Sequence, residues 1–292
     1  MAILQIILNG LTYGALLFVV ASGFTLIFGL ARVVNLSHGA FYMFGGYVGY
    51  SVCIWAQHLV QTKNSGIAWT AGVLAAGLAG ALLALVLSWL LKTVKGELPQ
   101  TLLTLGLAIM VGDICLWIWG GLPVTLAVPG VLKSPVEFFG IMYPAYRLFI
   151  IVIAVAIGAL LYFLLFWSQF GRLIRAGVDN REMVSALGVN IDLLFLAIFL
   201  LGGFLTGIAG AIGGSYLALS PGTGFQILTV ALFVVIIGGL GSLLGSGVGA
   251  LIVGLVDSFG RVYFNQFAIF LLSATVIVIL GFRTQGLFGR KE

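Results

Sequence analysis

The sequence predicts an all-α protein, a polytopic transmembrane helical bundle of about 8–9 membrane segments with one or more of them broken or re-entrant. Three observations lead there. Of 292 residues, 62% are hydrophobic and only 7% charged, where a soluble domain is about a quarter charged and must cover its surface with polar atoms. The apolar residues form continuous runs of about 20, enough for a helix to cross a hydrocarbon core of about 30 Å, and not the roughly 10-residue alternating segments of a membrane β-barrel. There are also 42 glycines, about twice the usual share, as expected where helices must pack in lipid by close approach of their backbones.

The runs fall near 3–30, 38–56, 66–91, 98–122, 144–167, 191–218, 225–240, 243–260 and 263–282. The first begins without a positively charged start and lacks a cleavage site, so it is expected to be a retained span. It carries Gly10 and Gly14 at four-residue spacing. The second carries Gly45 and Gly49, and the third Gly72, Ala76, Gly80 and Ala84. The sixth carries the pairs Gly203, Gly207 and Gly210, Gly214; the eighth carries Gly241, Gly245 and Gly249. Each row is a candidate helix-packing stripe. The stretch 225–260 as one helix would reach about 54 Å, far beyond the hydrocarbon core. Gly238, Gly239 and Gly241 interrupt it and are the candidate helix break. Two shorter segments are therefore expected, with a plain turn over Ser220-Pro221-Gly222-Thr223-Gly224 before them.

Charge orients the bundle. With nine crossings and the N-terminus outside, Arg32, Lys92, Lys95, Arg172, Arg175, Arg181, Arg283, Arg290 and Lys291 fall inside, and Lys63, Lys133, Arg147 and Arg261 outside, nine against four. A single span over 225–260 would give seven against six and erase the positive-inside bias. The scattered cations form no face for nucleic acid. Cys53 and Cys115 both lie in apolar runs and suggest neither a disulfide framework nor a metal site. Two histidines, His38 and His58, have no metal-ligand spacing, and no phosphate-binding G-x-x-x-x-G-K-[ST] sequence occurs, so no nucleotide hydrolysis is expected from this chain.

Three places hold candidate function. Asp113 is an ionisable residue within the fourth run, a functional signal by default, whereas Asp257 can pair with Arg261 one turn later. Asn35, Ser37 and His38 form a polar break between the first two spans, which could cap the second helix or line a path. The loop 168–192 holds Arg172, Arg175, Asp179, Asn180, Arg181, Glu182 and Asp192, with a short helix expected over Asn180–Leu187 and closed by Gly188. That helix is either a docking element or a topology-fixing basic loop. The segment 122–144 carries four of the six prolines and reads as a rigid outer cap or a simple connection.

Several stretches together carry a resemblance: Asn9-Gly10-Leu11-Thr12-Tyr13-Gly14, the run Val34-Asn35-Leu36-Ser37-His38-Gly39-Ala40-Phe41-Tyr42-Met43-Phe44-Gly45-Gly46-Tyr47, Gly171-Arg172 through Arg175-Ala176 with Asn180 and Ala186-Leu187-Gly188-Val189-Asn190, Gly238-Gly239-Leu240-Gly241-Ser242, and Phe282-Arg283-Thr284-Gln285-Gly286-Leu287-Phe288-Gly289. The chain resembles permease subunits of branched-chain amino-acid ABC importers, the H-type more than its M-type partner. The resemblance implies a type II ABC importer-like fold in which 1–292 is a single transmembrane permease domain of the bacterial inner membrane. It implies pairing with a second homologous permease subunit, two cytoplasmic ATP-binding subunits that hold ATP and Mg, and a periplasmic solute-binding protein, with no cofactor in this chain. It assigns Arg172, Arg175, Ala176, Asn180, Ala186 and Gly188 to ATPase coupling and leaves Asn35, Ser37, His38 and Asp113 as candidate pathway residues. Solutes consistent with it are branched-chain or other amino acids, with urea, short amides or aromatic acids as alternatives. A stand-alone channel or secondary transporter is the competing class, and a membrane scaffold or sensor a third.

Overall fold

The computed structural model describes residues 2–31, 33–60, 65–138 and 140–289; the expected positions of Arg32, Lys63, Arg290 and Lys291 lie outside them. In chain order the helices are α1 (Ala2–Ala31), α2 (His38–Val60), α3 (Ser65–Thr93), α4 (Glu97–Trp119), α5 (Ala145–Phe166), α6 (Gln169–Asp179), α7 (Arg181–Ala186), α8 (Ile191–Gly214), α9 (Thr223–Gly238), α10 (Leu243–Tyr263) and α11 (Ala268–Phe282). Each of the nine apolar runs is a helix. Seven are long and apolar enough to cross a membrane by length and composition. The others are α9, with 16 residues, and α2, whose 23 residues are more polar and lie mostly buried in the bundle.

Glycine decides how the helices meet. Where α3 crosses α8, a Cβ on Gly207 would land on the carbonyl of Ala76, and one on Gly80 on the carbonyl of Gly203. Where α1 crosses α10, a Cβ on Gly14 would lie 2.7 Å from the Ala250 carbonyl, and one on Gly254 would overlap that of Gly10. These two crossings correspond: α8 meets α3 as α1 meets α10, each through small residues four apart. The starts of α2 and α9 take equivalent places too, and Gly39 and Gly224, each second in its helix, touch backbone to backbone. The segments α1–α4 and α8–α11 thus form two halves with matching contacts, and α1 packs directly on α8 at Gly23 and Gly202. By the charge-derived orientation the halves run in opposite senses across the bilayer.

The break after α9 is local. Gly238 ends the helix, Gly239 and Gly241 adopt left-handed backbone at φ 101° and 80°, and the Ser242 hydroxyl accepts the Gly245 N–H at 3.0 Å to start α10. Gly241 therefore belongs to the turn, not to the packing row assigned to the eighth span. That row is Gly245 and Gly249, which meet the carbonyl of Gly238 and that of Val234. The segment after α11 folds back onto the break, with Leu287 N–H donating to Ile237 O and Phe288 N–H to Gly238 O, both at 2.9 Å. Two distant stretches that carry the resemblance thus meet here.

At the opposite end, β1 (Pro135–Phe138) and β2 (Ile141–Pro144) form an antiparallel hairpin. Tyr143, fully buried, bonds to Asn9 at 3.1 Å and to Thr12 at 3.0 Å on α1. Arg147 donates to Asn9 at 2.7 Å and stacks over Tyr143 and Tyr216. Val124 pairs by both backbone bonds with Leu219, so the proline-rich segment is fastened to the link before α9. Asp257 and Arg261 pair at 2.6 Å, one turn apart. Lys92 and Asp192 approach to 3.7 Å, putting the end of α3 and the start of α8 on one face with α6 and α7.

Gly207→Val should push α3 off α8, since overpacking typically costs about 1–3 kcal/mol and the obstacle here is backbone. In contrast, Gly106→Ala on α4 meets nothing within 4 Å. Thermal unfolding in detergent should show a lowered midpoint or lost folded protein for the first and no loss for the second; equal behaviour would contradict backbone packing as the fold's support.

Candidate functional site

The polar break Asn35-Leu36-Ser37-His38 is buried inside the bundle. Asn35, Ser37 and His38 are all buried. The His38 Nε2 lies 2.9 Å from the carbonyl of Val20 and 2.9 Å from the Thr206 hydroxyl oxygen. Because a carbonyl only accepts, Nε2 carries the proton. Val20 is about 16 Å from the end of α1, and Thr206 about 22 Å into α8, at 1.5 Å per residue. The α2 helix therefore starts well within the packed core. Phe24 stands edge-on to the imidazole, with ring centroids 5.3 Å apart.

Among the described residues, neither Asn35 nor Ser37 makes a side-chain hydrogen bond into the first turn of α2. The Asn35 Oδ1 accepts both the Ser37 N–H at 3.0 Å and the Ser37 hydroxyl at 2.6 Å, tying the link into a tight turn. Thr104 on α4 accepts the Leu36 N–H at 3.0 Å. The link is thereby stitched to α1, α4 and α8. Irregular backbone at such depth is tolerated only when protein satisfies its polar groups. The Asn35 Nδ2 and His38 Nδ1 have no partner among the described residues. Thr104 and Thr206 were not legible as site residues, because each is one threonine in an apolar helix whose partner lies 68 or 168 residues away.

The matching start of α9 lies alongside. Ser220 N–H donates to the Thr223 Oγ1 at 2.8 Å, turning the chain into the helix. Leu36, Ala40 and Met43 of the first link and α2, Ala108 and Gly112 of α4, and Pro221, Gly224, Phe225 and Leu228 of the α9 start line one narrow groove. Asp113 is not brought together with Asn35 or His38. It points outward on the opposite side of α4, exposed, with no hydrogen bond or ion pair among the described residues. On that same bare face stand Gly106, Met110 and Trp117, the last 86% exposed. Gln226 and Thr229 are likewise exposed on α9, two isolated polar residues in an apolar helix with no sequence pattern to mark them.

The 168–192 segment holds two helices, where the sequence suggested only the second. The Ser168 hydroxyl caps α6 by accepting the Gly171 N–H at 3.0 Å, and the Asn180 Oδ1 caps α7 through the Met183 N–H at 3.0 Å. Asn190 caps α8 through the Leu193 N–H at 3.1 Å. After α7, Gly188 takes φ 83°, and Gly188 N–H donates to Ser185 O while Val189 N–H donates to Val184 O. This paired closure is the usual glycine stop of a helix. Ile174 is buried in a cluster with Leu161, Leu194 and Ile198, which seats α6 on α5 and α8.

The six coupling candidates divide by role. Arg175 turns inward, donating to the carbonyl of Leu165 and lying 5.3 Å over the Phe166 ring. Asn180 caps and Gly188 terminates α7, whereas Arg172, Ala176 and Ala186 are exposed. Within the segment the most exposed apolar side chains are Met183, 60% exposed, and Leu187, 77% exposed; the charge pattern of the loop does not mark them.

Comparison with known proteins gives one family, described as "Branched-chain amino acid transport system / permease component", which matches residues 6–280. The high-affinity branched-chain amino acid transport system permease protein LivH of Salmonella typhimurium is 26% identical, covering 99% of this chain and 96% of its own length. The corresponding permease protein BraD of Pseudomonas aeruginosa is 25% identical over the same shares. The autoinducer 2 import system permease protein LsrC of Escherichia coli is 27% identical over 83% of this chain and 68% of its own length. No solved structure matches.

Asn35→Ala should release the Ser37 N–H and hydroxyl inside the bundle, at the roughly 1–3 kcal/mol cost of leaving buried polar groups unpaired. The purified chain should unfold at lower temperature. An unchanged midpoint would mean that the turn does not hold the start of α2.

Proposed function

The chain belongs to the family of branched-chain amino acid transport permeases, and from that premise we propose that it forms half of a solute path and converts ATPase movement into opening of that path. It is a multi-pass membrane subunit of an ABC importer, and ATP with Mg is bound and hydrolysed in two separate cytoplasmic subunits. The solute is a branched-chain or other amino acid, delivered by a soluble extracytoplasmic binding protein. Residues 1–292 act as one permease domain, and a second homologous permease completes the path.

The observation that carries this reading is α7. It is a two-turn helix capped at both ends, and its outward residues Met183, Ala186 and Leu187 are exposed. A helix this short is not stable alone, so caps and its seat on α6 hold it for a purpose other than packing this chain. A cytoplasmic ATPase cleft that receives Met183 and Leu187 supplies the missing cover. Force entering there passes to α5 and α8 through the Ile174 cluster and the Arg175 contacts, and α8 carries Thr206, which touches His38. Arg175 thus acts as an internal strut, with Arg172 and Ala176 on the contact surface.

The outward face of α4 supports the paired permease. An aspartate at the centre of a membrane helix costs about 2.5–3.5 kcal/mol on insertion scales unless protein or water receives it. A second permease against this face covers Trp117 and leaves Asp113 to a polar path between the two. A stand-alone channel would use Asp113 equally well but gives α6 and α7 no work.

Leu187→Glu, alone and with Met183→Glu, should leave the permease folded but reduce ATPase co-purification and solute uptake by at least about tenfold, equivalent to about 1.4 kcal/mol of docking energy. Normal association and uptake in the double variant would refute coupling through α7.

A further inference from the structure

We propose that the segment 283–289 is a clip that locks α9, α10 and α11 into one body, and that this body is a second route by which movement at α6 and α7 reaches the start of α2. This rests on the coupling reading above and goes beyond it by giving that movement a course through α10 and α9 as well as through α8.

The end of α9 creates the need for a clip. A helix leaves its last carbonyls without intrahelical donors. At the end of α9 the Val235 carbonyl is met locally, by the Gly239 N–H at 2.9 Å, but those of Ile237 and Gly238 accept the N–H groups of Leu287 and Phe288, from beyond α11. The local chain is turned away into α10 by the left-handed Gly239 and Gly241.

The clip is shaped for this contact. Gly286 N–H donates to Arg283 O at 3.0 Å, and the Arg283 guanidinium donates to Leu287 O at 3.0 Å. Gly286 takes φ 77°, and a Cβ there would lie 2.6 Å from the Ile236 carbonyl oxygen. A Cβ on Gly239 would overlap the backbone nitrogen of Gly289. Leu287 packs on the cluster in which Val235 and Ile237 of α9, Val253 of α10, and Leu272 and Val276 of α11 are buried. The segment that leaves α11 therefore returns to α9 and closes the three helices together.

This body has a contact at each end. Leu243, the first residue of α10, is buried in the cluster that holds Ile174 of α6. Beside it the backbones of Gly238 and Gly245 touch. At the other end of α9, about 24 Å away at 1.5 Å per residue, a Cβ on Gly39 of α2 would overlap the Gly224 carbonyl and lie 2.9 Å from the Leu228 Cβ. Between α9 and α10 stands a turn with two left-handed glycines, a permissive backbone. Without the clip, a displacement of Leu243 is absorbed in that turn; with it, the displacement passes along α9 to the start of α2.

The test is the labelled leucine moved per ATP hydrolysed by the complete transporter in vesicles. Leu287→Pro removes the N–H that the Ile237 carbonyl accepts, and Gly286→Val opposes both the left-handed backbone and the contact with Ile236. Thr284→Ala, exposed on the same segment, is the control. Both clip variants should keep their ATPase subunits and hydrolyse ATP, while leucine moved per ATP falls by about fivefold or more, the scale of a typical coupling between sites. The control should match the unmodified transporter. Unchanged transport per ATP in both clip variants would overturn the clip. Hydrogen exchange in the unmodified transporter tests it without substitution. The amides of Gly286, Leu287 and Phe288 should stay protected with and without trapped ATP, and exchange at the free-chain rate in either state would overturn it. Normal uptake by the Met183→Glu, Leu187→Glu variant would refute coupling through α7, and this inference with it. Lost uptake there, with ordinary transport per ATP in the clip variants, would overturn the clip alone.

Discussion

Contact between glycine backbones is the constraint on which this structure rests. Lipid gives no hydrophobic reward for bringing two apolar helices together, so association depends on how closely main chains approach. At Gly207 with Ala76, Gly14 with Ala250, Gly49 with Gly72 and Gly39 with Gly224, no Cβ fits without movement of a neighbouring backbone. These contacts draw α1, α2, α3, α8, α9 and α10 into a core tight enough to hold a polar link. Only inside such a core can Asn35, Ser37 and His38 be sealed from lipid, with most of their polar atoms bonded to protein.

From that core the functional parts extend in two directions. Toward the cytoplasm, α5 and α8 run into the capped pair α6 and α7, whose exposed apolar side chains have no partner within the described chain. On another side, the starts of α2 and α9 and the middle of α4 line a narrow apolar crevice, with Asp113 exposed on the opposite side of α4. The helix that joins the two regions is α8. It packs on α6 through Leu194 and Ile198, and on α1, α2 and α3 through Gly202, Gly207 and Gly210. On the proposed coupling, displacement at α7 passes to α8 as a change in how α8 sits, because a close-packed interface shifts between discrete arrangements and does not deform continuously.

Much of this was legible in the sequence. Apolar run length placed nine helices, and the small-residue spacing marked the faces that meet. Charge asymmetry separated 225–260 into two helices, and Gly238 and Gly239 stand where α9 ends. What could not be read was pairing across distance. Thr104 and Thr206 gain their roles only when α4 and α8 arrive beside the link before α2, and no local pattern encodes that arrival. Arg175 looked like a surface charge because sequence does not show that the carbonyl of Leu165 and the ring of Phe166 wait beneath it. Asp113 was seen as an ionisable residue in a span, but its direction follows from which side of α4 finds Leu36, Ala40 and Met43. The helix α6 was missed because its cations and two glycines masked an apolar stripe that Ile174 anchors.

The link before α2 is buried in the bundle. Single cysteines at Ser37, at Ser185 on α7 and at Val131 in the outer cap, placed in the chain with Cys53 and Cys115 replaced, test it through their rates of reaction with a membrane-impermeant maleimide from each side. Ser37→Cys should stay unlabelled from both faces in the resting complex, with Ser185→Cys labelled only from the cytoplasm and Val131→Cys only from outside. Labelling of Ser37→Cys from the cytoplasm as fast as Ser185→Cys would make that link an ordinary surface loop, open to water and not sealed by α1, α4 and α8.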